Sequence, residues 1–278
     1  MTMLEATVST RAGRYRLDLD AGIPLSIQLR FDGPQPNAFG MPEATASPVR
    51  ADGFVGDTRQ GGSCNCSGVT LYPHGNGTHT ECVGHIVDER VPVAERLHSA
   101  LIPATVATVT PERLGDSGDE YFGDGDGDDW VVSRRSLHRA LGRADSPECF
   151  RRALVLRTGH VDDPGSHRWS GSNPPYLTSD AVDLMLVHDV RHLLVDLPSI
   201  DREDDGGTLP NHHAFFGVPS ELTQLPAEPS PRTVTEMATV PSEVEEGACF
   251  VDIQVPDFAL DAAPSRPLLF RAERAEED

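Results

Sequence analysis

Residues 153–201 constrain the fold most. Residues 153–156 form a short apolar run. Residues 179–188 carry Ala181, Val182, Leu184, Met185 and Leu186 behind Ser179, which can cap a helix. Residues 192–197 are apolar again and end in Asp-Leu-Pro-Ser. Strand, helix and strand at this spacing predict a crossover unit, two parallel strands with a helix over one face. Elsewhere, 23 Pro and 25 Gly in 278 residues break the apolar pattern into short pieces, so short strands and long loops follow. Tyr15, Leu17 and Leu19 alternate with charged residues, and Ile27, Leu29 and Phe31 alternate likewise. Residues 69–72, 104–109, 233–240 and 249–255 read as further strands, 133–141 as a short helix, and 33–62 as loops. No repeat or composition shift divides the chain. It reads as one α/β domain over 1–278 with mixed sheets and long loops, and with flexible ends at 1–14 and 271–278.

Charge narrows the function. Acidic residues outnumber basic ones 44 to 23, for a net charge of -21. Such a field repels phosphate backbones and disfavours a nucleic-acid partner. All the basic residues are Arg, so Schiff-base, pyridoxal phosphate and Walker-type chemistry are excluded. Serine-hydrolase, zincin and dinucleotide motifs are also absent. No apolar run approaches a membrane span, and residues 1–14 lack the apolar stretch of a secretion signal, so a cytoplasmic protein is expected. Five Cys are too few for a disulfide framework and read as buried free thiols. The acidic run 124–129 fails as an EF-hand loop, because its sixth and twelfth places hold Asp129 and Arg135. It reads as a solvated loop.

The 11 His raise the question of metal. His74, His79, Glu81 and His85 fall within residues 74–85, and imidazole with carboxylate suits Zn, Mn or Fe. In an extended segment His79 and Glu81 point to one face, being two apart. The segment is too rich in Gly for a helix before His79, and a tight turn around Asn76 would bring His74 back towards it. One of the adjacent pair His212 and His213 can act as a ligand, the other as its support or a substrate contact, although taken alone the segment reads as a surface loop. Glu236 lies in an apolar and hydroxyl strand, where a carboxylate is costly unless exposed, paired or metal-bound. Taken alone, exposure is the simpler account. Cys82 beside His79 and His85 is a weak nucleophile candidate.

These residues resemble the metal motif of the cyclase family, which includes bacterial kynurenine formamidase and isatin hydrolase. The family pattern is His-x-Gly-Thr-His-x-Asp-x-Pro-x-His, and residues 76–85 here read Asn-Gly-Thr-His-Thr-Glu-Cys-Val-Gly-His. Pro-Tyr-Leu at 175–177, the segment from Asp196 to Asp201, Leu-Pro-Asn-His at 209–212, Thr235-Glu236 and the closing segment 264–269 follow in the family's order. The likeness spans about residues 20 to 270. It implies a swivelling β/β/α domain, a homo-oligomer (dimer or tetramer), and one or two divalent ions, Zn or Mn. Carried over by position, His79, Glu81, His212 and Glu236 are metal ligands, and His85 is the general base. The family's first His falls on Gly75, and the neighbouring His74 takes that role. Glu81 replaces an Asp, and Val83 stands where Pro is usual. The segment 216–232 is longer than expected between the last two ligands.

The implied activity is hydrolysis of an amide-type C–N bond in a small molecule by metal-activated water. His85 would take the proton and pass it to the leaving nitrogen. No substrate-binding residue is assigned. Phe39, Phe54, Trp169, Tyr176, Phe215 and Phe216 are candidate linings for an aromatic substrate. The alternatives are a metal-dependent cyclase of secondary metabolism and a non-catalytic binding protein on the same scaffold.

Overall fold

The structure, a computed structural model, describes residues 4–275. The elements that frame the molecule begin with β1 (Glu5–Thr10), β2 (Gly13–Asp18), β3 (Ile23–Pro24), α1 (Pro73–Asn76), β4 (His79–Cys82) and β5 (Ile102–Thr108). They continue with α2 (Arg134–Ala144), β6 (Ala153–Arg157), α3 (Ser179–Val187), β7 (His192–Val195) and α4 (Pro210–Phe216). The last are β8 (Thr233–Glu236), β9 (Gly247–Asp252), β10 (Ala262–Pro264), β11 (Leu268–Arg271) and β12 (Glu273–Arg274).

The expected crossover forms. β6 and β7 pair in parallel, with Leu154 opposite Leu193, and α3 runs between them in sequence. A nine-stranded mixed sheet grows around this pair in the order β10-β4-β8-β7-β6-β5-β9-β11-β3. Its centre, β8-β7-β6-β5, is parallel, and the flanking strands are antiparallel. The apolar runs of β6 and β7 are continuous because both faces are buried. Leu154, Leu156, Leu193 and Val195 point into the core under the helices, while Ala153, Val155 and Leu194 point into a second core with Val106 and Val251.

Local chemistry sets the helix starts. Ser133 accepts the Ser136 backbone N–H at 3.0 Å and Ser136 caps it reciprocally, so α2 begins there and runs past the expected end at 141. α3 is capped by Thr178, one residue before the expected Ser179; its Oγ1 accepts the Ala181 N–H at 3.1 Å.

Several expectations give way. Residues 5–10 and 13–18 form a hairpin joined by β12 rather than a flexible end, because Tyr15 and Leu17 bury against Phe150, Phe250 and Phe270. The expected flexible end at 271–278 is in strand at 273–274, and residues 276–278 lie outside the described residues. The strand expected over Ile27, Leu29 and Phe31 does not form; β3 precedes it, and Phe31 is 37% exposed. Asp129, read as solvated, is buried. It accepts from Arg202 Nε, Tyr176 Oη and Asn173 Nδ2 at 2.7–2.8 Å. All five cysteines are free, but Cys64 and Cys66 are exposed. No described helix is long and apolar enough to cross a membrane.

The sheet also stores a pH dependence. His192 opens β7, buried, with Nδ1 3.0 Å from Thr233 Oγ1. Burial, helped by the charges of Arg152 and Arg191, lowers its pKa to about 4. The unfolded imidazole titrates near 6.5. Between these values the unfolded state binds more protons, so stability falls as pH drops from about 6.5 to about 4. The shift corresponds to about 3 kcal/mol. Urea unfolding of the wild type should therefore lose about 3 kcal/mol more than His192→Gln between pH 7 and pH 4. Equal losses would assign the acid sensitivity to other groups.

Candidate metal centre

The site lies where β4 crosses the edge of the parallel core. β4 pairs antiparallel with β8, and His79 stands opposite Glu236 while Glu81 stands opposite Val234. The two-residue spacing puts His79 and Glu81 on one face, as expected. The other face is taken by Thr80, whose Oγ1 lies 2.8 Å from Thr235 Oγ1 and 2.9 Å from Ser265 Oγ.

The turn ahead of β4 forms differently from the expectation. Residues 73–76 make one helical turn, with Pro73 at its start. Gly77 then reverses the chain at φ 153°, a conformation that favours glycine. The reversal returns His74 to within 5.2 Å of His79, ring to ring. Gly75 explains why the imidazole stands at 74. A Cβ at residue 75 would meet Met41 Cγ at 2.6 Å and the Ala38 carbonyl at 3.0 Å. After β4 the chain does not stay extended. Residues Val83–His85 form a tight turn, which lays the His85 ring on His74 with centroids 4.4 Å apart.

His212 arrives on α4. Leu209 adopts a left-handed conformation at φ 43°, and its N–H is held by Asp205 Oδ2 at 2.7 Å. Asp201 then accepts the backbone N–H groups of Asn211 and His212 at 2.9 and 3.0 Å, and His212 Nδ1 at 2.7 Å. Tyr121 Oη also donates to Asp201, at 2.9 Å. A carboxylate can only accept from these donors, so His212 carries its proton on Nδ1 and presents Nε2. The Gly77 carbonyl, 3.0 Å from His79 Nδ1, fixes the same tautomer there. His213 turns away, with Nδ1 3.1 Å from the Val218 carbonyl, and has a structural part.

The presented atoms converge. His212 Nε2 lies 2.8 Å from Glu81 Oε1 and 3.5 Å from Glu236 Oε1, and His79 Nε2 lies 3.4 Å from Glu236 Oε2. His74 Nε2 lies 3.3 Å from Glu81 Oε2. Glu236 is buried rather than exposed, against the simpler sequence account, and its Oε1 accepts the Ile200 N–H at 3.0 Å. Yet His74 Nε2, His79 Nε2, His212 Nε2 and both Glu81 oxygens make no hydrogen bond of normal geometry, although all are buried. Buried polar atoms are rarely left so. Lone pairs that approach one another without hydrogen-bond angles fit donors aimed at a common cation. His79, Glu81 and Glu236 form one group that could hold a metal ion, with His212 against two of its members.

The electrostatics of the bare protein agree. Burial works to raise Glu81, but the charges of His85 and His212 hold it well below the usual carboxylate range. Burial works to lower His212, and Glu81 and Asp201 hold it well above the usual imidazole range. Glu236 is raised by burial and by Glu81, but His212 and His79 bring it below its ordinary value. Protons thus stand in for positive charge among these carboxylates. Cys82 is not part of the chemistry. Burial pushes its thiol up to about 11, and its S–H donates to the Val91 carbonyl at 3.3 Å.

All six residues singled out in the sequence come together. Asp261 was missed: its Oδ2 lies 3.4 Å from both His74 Nε2 and His85 Nδ1. Of the aromatic candidates, Trp169, Tyr176, Phe215 and Phe216 are core side chains, and the Phe216 ring lies 6.0 Å from His212. Phe39 is partly exposed.

Comparison with known proteins adds the following. The model of a family described as "Putative cyclase" matches residues 21–202. No match to a curated protein was found. Isatin hydrolase A from Labrenzia aggregata, bound to benzyl benzoate, superposes with a TM-score of 0.58 at 14% identity, over 91% of this chain and 94% of that one. A structure described as a potential metal-dependent hydrolase with cyclase activity gives 0.56 at 16% identity, over 90% and 98%. A predicted metal-dependent hydrolase from Bacillus stearothermophilus gives 0.55 at 15% identity, over 90% and 97%. At these identities the likeness is one of fold, and it matches the expected β/β/α architecture.

Proposed function

The chain belongs to the cyclase family, and on that premise we propose that it is a metal-dependent hydrolase that opens an amide-type C–N bond in a small molecule. The observation that carries this reading is the set of buried imidazole and carboxylate atoms that meet without hydrogen bonds. His79, Glu81, His212 and Glu236 hold a divalent ion, Zn or Mn, and His74 faces the other oxygen of Glu81. When bound, the ion activates water near neutral pH and polarises a carbonyl oxygen. The protein's own groups do the rest. The Gly77 carbonyl and Asp201 keep the rings of His79 and His212 in place. His85 lies at the edge of the cluster, three-quarters buried, with Nε2 3.9 Å from Glu81 Oε2. It takes a proton from water there and returns it to the leaving nitrogen.

The solved isatin hydrolases act on a cyclic amide by name, and kynurenine formamidase is the acyclic counterpart. A panel of aryl formamides, cyclic amides and simple esters, assayed with Zn and with Mn, tests the reading. Hydrolysis of an amide that depends on added metal and is lost on chelation supports it. Metal binding without turnover of any member moves the assignment to a cyclase or a binding protein.

Asp201 supplies a separate prediction. Its carboxylate sets the tautomer of His212 and makes the ring more basic towards a cation. Asp201→Asn should weaken metal binding by roughly 10–100-fold, read by competition against a chromophoric chelator. An unchanged affinity would show that packing alone orients His212.

A further inference from the structure

We propose that the open edge of β1 and the arginine-lined groove beside it dock an extended acidic peptide segment of a partner protein, which adds to the sheet as a strand. The hairpin of β1 and β2 precedes residues 21–202, which the family model matches. Its sheet runs β1-β2-β12, so β1 is an edge strand. Leu4 and Leu19 stand opposite each other, and the Leu19 N–H donates to the Leu4 carbonyl at 2.8 Å. Antiparallel strands alternate bonded and unbonded pairs. From the register of β1 on β2, Ala6, Val8 and Thr10 therefore turn their backbone groups to β2, and Glu5, Thr7 and Ser9 turn theirs outwards. Among the described residues no strand pairs with that side. Such an edge is a template for another strand.

A groove of about 860 Å³ lies beside β1, lined by the consecutive residues 8–12. Arg152 and Arg191 also line it. The Arg191 N–H donates to the Arg152 carbonyl at 2.8 Å, which sets the two side by side. Arg11, in the turn between β1 and β2, supplies a third guanidinium. The acids of the groove are Glu148 and Asp189, and Arg191 holds Asp189 at 3.2 Å. Among the described residues no ion pair engages Arg11 or Arg152. In a chain with 44 acidic and 23 basic residues, this grouping runs against the charge of the rest of the surface. Val8, Leu101 and Phe250 add apolar surface. Arg152 and Arg191 immediately precede β6 and β7, whereas Glu236 ends β8. These three strands are parallel, so the groove lies at the opposite end of the sheet from the metal centre.

Three features together select the occupant. Outward backbone groups at every second residue match an extended chain and not a compact anion. Free guanidiniums select carboxylate side chains on that chain. A second copy of this protein would bring a net charge of -21 with it, and repulsion between whole surfaces disfavours it relative to a short segment.

The test is binding, by fluorescence anisotropy, of labelled strand-forming hexapeptides with Glu at alternate positions, to the full-length protein. The wild type should bind these peptides, and should bind versions with Lys in place of Glu at least about tenfold more weakly. The double variant Arg11→Glu, Arg152→Glu should lose the acidic peptides by at least about tenfold. Thr7→Pro should weaken them similarly, because it removes an outward N–H without touching the bonds to β2. Thr7→Val keeps that N–H and should bind as the wild type does. Circular dichroism checks that each variant folds. No binding of the acidic peptides, or equal binding of the Lys versions, overturns the proposal. Wild-type affinity in folded Thr7→Pro overturns strand addition. A wild-type dimer in sedimentation that Thr7→Pro converts to monomer overturns it in favour of a second copy on this edge.

Discussion

Glu81→Gln should bind no metal and should lose hydrolysis by at least about three orders of magnitude, since the ion supplies several kcal/mol to the transition state. Both oxygens of Glu81 face imidazoles, as those of Glu236 do, but Glu81 alone meets three of them and accepts no backbone N–H, whereas Glu236 takes one from Ile200. Oε1 lies 2.8 Å from His212 and Oε2 lies 3.3 Å from His74 and 3.9 Å from His85. Glu81 is fully buried, and no backbone N–H or hydroxyl donates to it. An ionised carboxylate in such a place costs several kcal/mol unless positive charge compensates it. In the bare protein, protonated imidazoles supply that charge, which is why His212 is held high and Glu81 low. A divalent ion replaces those protons. The amide variant keeps shape and volume but cannot balance a cation, and it leaves the neighbouring imidazoles without their counter-charge. Elemental analysis should show the variant empty. Added Zn or Mn should raise the melting temperature of the wild type but not of Glu81→Gln. A loaded and active Glu81→Gln enzyme would remove Glu81 from the centre and sink the site as drawn.

How much of this was legible in the sequence depends on distance along the chain. The spacing of His79 and Glu81 puts them on one face of a strand, and a Gly turn returns His74; both are local and both could be read. The crossover through residues 153–195 could be read because both faces of its strands are apolar. Glu236 could not be judged by itself. Its strand looks half polar, and only the register that sets it opposite His79 turns exposure into burial. Asp261 gave no signal at all, because its meaning comes from the pairing of β10 with β4. The nearest clue was its position just before the apolar segment that closes the chain. Asp129 was misread for the opposite reason. A run of Asp and Gly resembles a solvated loop, but Arg202 and Tyr176, distant in sequence, claim its last carboxylate. The N-terminal hairpin shows the limit of alternation. Tyr15 and Leu17 marked one strand, while the partner at residues 5–10 buries too little to stand out.

His85→Ala should keep its full complement of metal and lose turnover by roughly 10²–10⁴-fold, the usual worth of a positioned acid–base group. The argument is one of position. His85 sits on the tight turn after β4, not on the strand, so its ring enters the cluster from the side and stacks on His74. Its Nε2 is 3.9 Å from the nearest carboxylate oxygen of Glu81, against 2.8 Å for His212 and 3.3 Å for His74. It lies beyond the ligand spacing on the Glu81 side, although its Nδ1 stands 3.4 Å from Asp261 Oδ2, in a group with His74 that could itself hold an ion. The ring is a quarter exposed, so it can exchange protons with solvent, which the fully enclosed His79 and His212 cannot. The exposure and the longer distance from Glu81 suit a group that shuttles a proton, the role proposed for it. If so, kcat falls while KM and metal content hold, because the ring makes its contribution in the transition state. A small external base such as imidazole should restore part of the rate in the cavity left by the missing ring. Loss of an ion in His85→Ala would make His85 a ligand and would require another base for the reaction.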